Sequence, residues 1–192
     1  MTSIACILLA AGTGSRFGGD KLLYPLNGKP MAAHAIELHA ALPYACRILI
    51  TQRRHTAIAS LAEANGFLIG YNDEPERGIA SSIRIALELL SLQPCAPEGI
   101  LFGVCDQPYL RVETVLRLID RFCAQPGRIV APSANGRRGN PVIFPARFSD
   151  ELAALTGDTG GSKVIRSHPE ALLTVPADAA ELADLDVRPQ SP

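Results

Sequence analysis

Two short runs of almost purely apolar residues, at positions 4–9 and 100–104, constrain the fold of this chain more than any other feature. A strand with one face toward solvent alternates between apolar and polar residues, whereas a strand covered on both faces is apolar throughout. Neither run alternates. We therefore expect both to be central strands of a mostly parallel sheet, lying side by side, with helices on both faces.

Short β-rich runs and longer segments of helical period follow one another along the chain, which is typical of the α/β class. The predicted strands cover residues 4–9, 47–51, 67–71, 100–104, 128–131, 141–144 and 172–175. The predicted helices cover residues 31–42, 55–65, 79–92, 112–124 and 161–168. The third helix contains "SSIRIALELLSL" and has the clearest apolar stripe, at Ile83, Ala86, Leu87 and Leu90.

Composition and charge argue against several classes of protein. The 192 residues, 47% of them apolar, suffice for one domain over 1–192, and flexibility is expected only in the acidic, proline-containing tail 177–192. The net charge of -1 provides no basic surface for nucleic acid, and no apolar run approaches the roughly 20 residues that span a membrane. Five cysteines without a CxxC pair favour a reducing compartment, so we expect a cytoplasmic protein.

The loop after the first strand, in "CILLAAGTGSRFGGDK", is rich in glycine and contains two cations. A dinucleotide-binding fingerprint would read GxGxxG, whereas Gly12, Gly14 and Gly18 are spaced GxGxxxG. A P-loop would place lysine directly after glycine and a hydroxyl residue next, whereas Asp20 precedes Lys21 and a leucine follows it. Both alternatives fit poorly.

Two interpretations of this loop remain. Its backbone N–H groups can wrap the phosphates of a nucleoside triphosphate while Arg16 and Lys21 supply positive charge. Alternatively, the loop is a glycine-rich turn that holds no ligand. Ligands of open α/β sheets bind at the carboxyl ends of the strands, so two cations at such an end favour the phosphate site.

A second candidate residue follows the other apolar strand. In "ILFGVCDQPYL", the strand delivers Asp106 at its carboxyl end before Pro108 stops it. Mg²⁺ prefers oxygen ligands and is typically held by one or two carboxylates together with substrate phosphates. We therefore expect Asp106 to be a metal ligand beside the first loop, the alternative being a helix cap. The four histidines show no metal-ligand spacing.

Five motifs occur together along the chain: "LAAGTGSRFGGDKLL", "GIASSIRIAL", "DQP", "GRRGNPVIF" and "GDTGGSKVI". On these motifs, nearly the whole chain resembles the MobA-like nucleotidyltransferases, and most closely the molybdenum cofactor cytidylyltransferases. The resemblance implies a Rossmann-like α/β fold of the nucleotide-diphospho-sugar transferase type. It also implies Mg²⁺-dependent transfer of CMP from CTP to the terminal phosphate of molybdopterin or molybdenum cofactor, with pyrophosphate released and a molybdenum hydroxylase that could receive the product.

The resemblance also implies roles for individual residues, and for Arg16, Lys21 and Asp106 these roles agree with the chemistry of the loop and of the strand end. The catalytic residues are Lys21, Arg16 and Asp106. The nucleotide-binding residues are Leu9, Ala10, Ala11, Gly12, Gly14, Ser15, Gly78, Ser81 and Ser82, where one of the two serines is expected to cap a helix and the other to bind. The acceptor-binding residues are Gly139, Asn140, Pro141 and Asp158, with Arg137 and Arg138 either meeting the acceptor or facing solvent. The metal ligands are Asp106 and Asp186, the latter in "ADLDVRP", where Asp184 is the weaker match.

The sequence leaves alternatives open for the base of the nucleoside triphosphate and for the identity of the acceptor. Ala11 stands where guanylyltransferase relatives usually have glycine, and a methyl group there would crowd a purine, which favours CTP. The alternatives are guanylyl transfer to molybdenum cofactor, nucleotidyl transfer to a sugar or polyol phosphate, and delivery of a pterin cofactor without turnover. Lys21 and Asp106 argue against delivery alone, because storage needs no metal-centred site at the α-phosphate. A phosphate monoester is already a nucleophile, so no general base is required.

Overall fold

The structure, a computed structural model, describes residues 3–12, 17 and 20–185, which fold as alternating strands and helices. The strands are β1 (Ile4–Leu9), β2 (Pro25–Leu26), β3 (Lys29–Pro30), β4 (Cys46–Thr51), β5 (Leu68–Tyr71), β6 (Gly99–Val104), β7 (Ile129–Ala134), β8 (Arg137–Arg138), β9 (Val142–Pro145) and β10 (Leu172–Pro176). The α-helices are α1 (Met31–Ala40), α2 (Thr56–Ala64), α3 (Ile79–Ser91), α4 (Val112–Ala124), α5 (Ser149–Ala153) and α6 (Ser162–Ser167). A 3₁₀ turn, Lys21–Leu23, follows the first loop.

The central sheet has the order β10-β7-β9-β6-β1-β4-β5, and β8 pairs with β7 at its end. Strand β1 lies between β6 and β4 and is parallel to both, with Leu9 opposite Val104 on one side and Ile50 on the other. Strand β9 runs antiparallel between β6 and β7. The predicted mostly parallel α/β sheet is confirmed, and the two apolar runs are neighbours as expected.

Strand β1 is apolar throughout because helices cover both of its faces. Cys6 and Leu8 lie in one apolar cluster with residues of α1, α2 and α4. Ala5 and Ile7 lie in a second cluster with residues of α3, α5 and α6. All four side chains are fully buried, so the period-2 alternation of a strand directs apolar groups into two cores rather than into one core and solvent.

The bounds of the elements differ from the predicted ones by a few residues, and short elements were missed. The β2–β3 hairpin and the five-residue helix α5 are too short to produce a hydrophobic period. On α3, Ile83, Ala86 and Leu90 are buried as expected, whereas Leu87 lies at the edge of the stripe and is only half-buried. No helix in the described part of the chain is long and apolar enough to cross a membrane.

Residues 177–185 belong to the tail in which the sequence predicts flexibility, but they pack against the sheet edge. Ala177 N donates to Ser133 O over 2.9 Å, and Leu185 N donates to Asp106 O over 3.0 Å. Composition did not predict this packing, because the partners of the segment lie far away in the sequence. Residues 186–192 lie outside the described residues, and the single-domain organisation stays a prediction.

His39 makes the stability of the fold depend on pH in a measurable way. Its buried ring shares a hydrogen bond of 2.9 Å with Tyr44 Oη. Burial, and secondly the charge of Arg47, lowers the pKa of His39 to about 3 from an ordinary 6.5. Below pH 6.5, His39 is therefore protonated in the unfolded chain, whereas in the folded chain it stays neutral down to about pH 3. The free energy of unfolding consequently decreases as the pH falls from 6.5 to about 3.

Between pH 7 and pH 5, the wild type should lose about 2 kcal/mol more unfolding free energy than a His39→Gln variant, which cannot titrate there. Urea unfolding of both proteins at the two pH values measures the difference. Parallel pH profiles of the two proteins would contradict the prediction.

Candidate active site

Lys21 and Asp106 form an ion pair at the carboxyl edge of the sheet. Lys21 begins the 3₁₀ turn after the first loop, and Asp106 lies two residues beyond β6. Lys21 Nζ donates to Asp106 Oδ2 over 2.8 Å. Lys21 is only 8% exposed, and a buried ammonium group requires such a partner. Because β1 and β6 are parallel neighbours, the chain leaves both strands at the same edge, and the two residues meet there.

Asp106 has the donor chemistry that a hard divalent cation requires. Its side chain is 28% exposed beside the ion pair, so the carboxylate can be reached from solvent. Burial, and secondly the charge of Asp106, raises the pKa of the neighbouring Cys105 thiol, which keeps this soft ligand protonated. A carboxylate without a thiolate suits Mg²⁺ or Mn²⁺. Among the described residues, no three His, Cys, Asp or Glu side chains gather into a metal cluster.

The main chain at the start of the first loop is held by residues at the end of β4. Ala10 N donates to Ile50 O over 2.7 Å, and Gln52 Nε2 donates to Ala11 O over 2.7 Å. The methyl group of Ala11 packs in the apolar cluster beneath α3, whereas Gly12 is exposed. The predicted phosphate loop therefore begins from a rigid base.

Asn72, which follows β5, organises the first turn of α3. Asn72 Nδ2 donates to Ser81 Oγ and to Ser82 Oγ, each over 2.8 Å. Ser81 Oγ in turn donates to Gly78 O over 2.7 Å. The helix begins at Ile79 without a side-chain cap. The expectation that one serine caps the helix is therefore wrong, because both serines lie inside the first turn and bond to Asn72 and Gly78 instead. Nucleotide binding by either serine stays a prediction.

Gly78 brings the head of α3 against the "GDTGG" turn. Its φ is +82°, in the left-handed region that favours glycine. A Cβ at this position would lie 2.2 Å from Gly157 C, and Ala80 N donates to Gly157 O over 3.2 Å. Gly78 therefore allows two motifs that are far apart in the sequence to touch through their main chains.

A cleft of about 710 Å³ opens beside the carboxyl ends of β1 and β6. Its apolar lining includes Leu9, Ile83, Phe102 and Phe144. Its basic lining consists of Arg137, Arg138, Lys163 and Arg166, to which Asp158 adds a carboxylate. An apolar floor with a few charged groups is typical of a small-molecule site and here suits a partly apolar anion.

Most of the residues predicted to bind an acceptor line this cleft. Gly139, Asn140 and Asp158 line it, whereas Pro141 is buried and does not. Arg137 and Arg138, for which the sequence left two interpretations, both line the cleft while remaining exposed.

Lys163 and Arg166 were missed in the sequence. They lie three residues apart on α6 and therefore share one helix face. This spacing, directly after a glycine-rich turn, is the signal that could have identified them.

Four predicted site residues, Gly14, Ser15, Arg16 and Asp186, lie outside the described residues, so their roles stay predictions. Asp184 is described, and its Oδ1 accepts a hydrogen bond of 2.9 Å from Gln107 Nε2.

Three buried amide side chains at the carboxyl edge, Gln52, Asn72 and Gln107, were not predicted. Gln52 and Asn72 directly follow strands, and Gln107 follows Asp106. A polar residue just after a strand is the same signal that identified Asp106, so it could have found all three.

Comparison with known proteins decides the family. The family described as the MobA-like NTP transferase domain matches residues 6–172. The chain belongs to this family. The molybdenum cofactor guanylyltransferase of Cupriavidus metallidurans is 30% identical to this MobA-like protein over 191 residues, which cover 95% of this chain and 90% of that protein.

Solved structures agree with this assignment. Rv0371c from Mycobacterium tuberculosis H37Rv superposes with a TM-score of 0.81 at 26% identity, covering 97% of this chain and 94% of that one. A structure of Rv0371c in complex with manganese superposes with a TM-score of 0.75 at 24% identity, covering 93% and 90% of the two chains. The family match and the relative make the present chain a nucleotidyltransferase, and the superposition agrees with the predicted fold of the nucleotide-diphospho-sugar transferase type.

Gly78→Ala should lower the free energy of unfolding more than Gly66→Ala. Both glycines have positive φ, +82° and +78°, but a Cβ at Gly66 would meet nothing within 4 Å. The left-handed backbone costs about 1–2 kcal/mol for alanine at either position, and overlap with the main chain of Gly157 adds to this cost only at Gly78. Urea unfolding of the two variants provides the comparison, and equal losses would show that the Gly157 turn moves without cost.

Proposed function

We propose that this MobA-like protein transfers CMP from CTP to the terminal phosphate of a molybdopterin-type cofactor and releases pyrophosphate. The observation that carries the proposal is the Lys21–Asp106 pair at the carboxyl edge of β1 and β6, next to a cleft with basic residues in its lining. The triphosphate donor and the phosphorylated acceptor are both polyanions. This edge offers positive charge to each of them.

Lys21 and Arg16 are proposed to bind the triphosphate of the donor. The glycine-rich loop that contains Arg16 and ends at Lys21 would direct backbone N–H groups at the phosphates, starting from the Ala11 main chain that Gln52 holds. The Lys21 ammonium group is already buried and oriented by Asp106. Little reorganisation is then needed when its hydrogen bonds pass to phosphate oxygens, which favours stabilisation of the charge that develops on the leaving pyrophosphate.

Asp106 is the proposed ligand of a divalent cation, with Asp186 as the second carboxylate. Mg²⁺, when bound, would neutralise phosphate oxygens and lessen the repulsion between the two polyanions. The manganese complex of Rv0371c supports a divalent cation in this fold. The hydrogen bond from Lys21 orients the Asp106 carboxylate before any substrate arrives.

The acceptor phosphate is the nucleophile of the proposed reaction. One of its oxygens forms a bond to the α-phosphorus of CTP while the bond from that phosphorus to the β-phosphate oxygen breaks, and pyrophosphate leaves. A phosphate monoester is ionised at neutral pH, so the chain does not have to remove a proton. Its contribution is to align two anions and to stabilise the transferred charge.

The cleft is the proposed acceptor site. Its apolar lining would contact the flat ring system of a pterin, and the four basic side chains would bind the negative charge of the acceptor. Asn140 and Asp158, which line the cleft, would hydrogen-bond polar edges of the ring, and Gly139 would border it, since its own N–H already donates to Pro132 O. The name of the Cupriavidus metallidurans relative, a molybdenum cofactor guanylyltransferase, supports this class of acceptor.

CTP is the proposed donor, and GTP is the second candidate because this relative is named a guanylyltransferase. Ala11 favours CTP. Since its methyl group packs in the apolar cluster, an effect on the base would act through the position of the Ala11 main chain, whose carbonyl oxygen accepts from Gln52.

With Mg²⁺, molybdenum cofactor and CTP, the purified protein should release pyrophosphate and form the cytosine dinucleotide, with far less product from GTP. Product from GTP alone would establish guanylyl transfer instead. Turnover only with a sugar or polyol phosphate would show that such a phosphate, and not the molybdenum cofactor, is the acceptor. Binding of the molybdenum cofactor without any turnover would indicate a delivery protein.

In the same assay, Lys21→Met should lower kcat by about 100- to 1,000-fold, because it removes a cation from the developing charge. Lys29→Met provides the matched control, since Lys29 pairs with Glu37 outside the site. If Lys21→Met kept the rate of the control, Lys21 would have no part in catalysis.

Ala11→Gly should raise the ratio of kcat/KM for GTP to that for CTP by about tenfold, because loss of the packed methyl group would let the main chain at residue 11 shift and make room for the larger base. Ala96→Gly makes the same chemical change at an exposed position before the amino end of β6, away from the site, and should leave the ratio unchanged. Steady-state kinetics with both nucleotides test this prediction. A ratio that does not move in Ala11→Gly would remove Ala11 as the determinant of base choice.

A further inference from the structure

Residues 177–185 form a strap across the carboxyl edge of the sheet. The strap follows β10 in the chain and starts beside the end of β7, where Ala177 N donates to Ser133 O. It extends to Asp106, whose carbonyl oxygen accepts from Leu185 N over 3.0 Å. Its main chain is therefore hydrogen-bonded to the residue that is proposed to hold the metal.

Glu181 anchors the middle of the strap. The residue is 4% exposed, and its Oε2 accepts from Thr114 Oγ1 over 2.6 Å and from Arg111 N over 3.3 Å. Arg111 Nε lies 3.8 Å from Oε1. Helix α4 starts at this point without a cap from its own first residues, so Glu181 supplies an acceptor and a negative charge at the positive end of the helix.

Gln107 holds the acidic end of the strap. It is buried, and its Nε2 donates to Leu182 O over 3.0 Å and to Asp184 Oδ1 over 2.9 Å. Both hydrogen bonds that the Gln107 amide nitrogen donates are therefore accepted by residues of the strap. Because Gln107 directly follows Asp106, the strap and the proposed metal ligand are tied to the same short turn.

The strap also touches the acceptor side of the site. A Cβ on Gly139 would lie 2.9 Å from Leu182 Cδ1, so the glycine of the "RRGNP" turn lets the strap pack closely over it. The strap therefore contacts both the turn that carries Asp106 and a turn that lines the cleft.

We propose that Gln107 and Glu181 are positioning residues that hold the strap so that Asp184 stands beside the turn that carries Asp106 before the cation binds. This inference rests on the proposed function, because it takes Asp106 as a metal ligand. Neither side chain touches a substrate; both act through the strap. A free tail would lose conformational entropy whenever it joined a metal site, and a strap ordered in advance avoids that loss.

Binding of Mn²⁺ to the full-length protein, without acceptor and with or without CTP, tests the inference. Electron paramagnetic resonance of free Mn²⁺ gives the Kd. Gln107→Met and Thr114→Val, which remove the donors to the strap, should each raise this Kd by about 10- to 100-fold, as changes in the outer shell of metal sites do. Ala183→Ser, at an exposed position of the strap, is the control and should leave the Kd unchanged.

A purely structural role would lower the Tm of Gln107→Met and Thr114→Val while their Kd for Mn²⁺ stayed at the wild-type value, and this result would overturn the inference. If neither variant folds, hydrogen exchange of the wild type decides. Protection of the strap amides without metal is the expected result. Protection of these amides that appears only when Mn²⁺ is added would overturn the inference, because the strap would then become ordered after the cation binds.

These measurements separate the inference from the proposed function. A wild type that forms no dinucleotide, yet binds Mn²⁺ more tightly than the two variants, refutes the proposed substrates and supports the strap. A wild type that forms the dinucleotide, with variants that bind Mn²⁺ equally well, refutes the strap alone. A wild type that forms no dinucleotide and shows no saturable Mn²⁺ binding under either condition overturns both.

Discussion

The parallel pairing of β1 with β6 is the constraint on which the site depends. Both strands are buried on both faces, and their register places Leu9 opposite Val104, so the chain leaves the two strands at one level. A shift of one residue would exchange the faces of every side chain and would be opposed by both apolar clusters. The short ion pair between Lys21 and Asp106 follows from this register.

Buried amides support the carboxyl edge at several neighbouring places. Gln52 holds the main chain before the first loop, Asn72 holds the first turn of α3, and Gln107 holds the strap. Burial of an amide is unfavourable unless its hydrogen bonds are made, and each of these three bonds to a neighbouring segment. The edge is consequently rigid before a substrate arrives, which is the condition for catalysis by alignment and charge.

Charge is arranged locally in a protein that is nearly neutral overall. The net charge is -1, yet Arg137, Arg138, Lys163 and Arg166 gather in one cleft and Lys21 stands at the sheet edge. A chain with such an arrangement can bind small polyanions in a defined place without a general attraction to nucleic acid. The local positive charge also agrees with a reaction in which both substrates carry phosphate.

Local signals were enough to predict the fold class, the two central strands, the glycine-rich loop that ends at Lys21, and Asp106 just after a strand. Only the tertiary structure decided how the site is supported. Glu181 and Thr114 lie 67 residues apart. The capping expected of Ser81 or Ser82 failed because both serines lie inside the first turn of α3, where Asn72, which follows β5, donates to their hydroxyls. Lys163 and Arg166 became part of the cleft when α6 packed on the sheet. These contacts depend on which distant segments meet, and no local pattern of residues encodes that meeting.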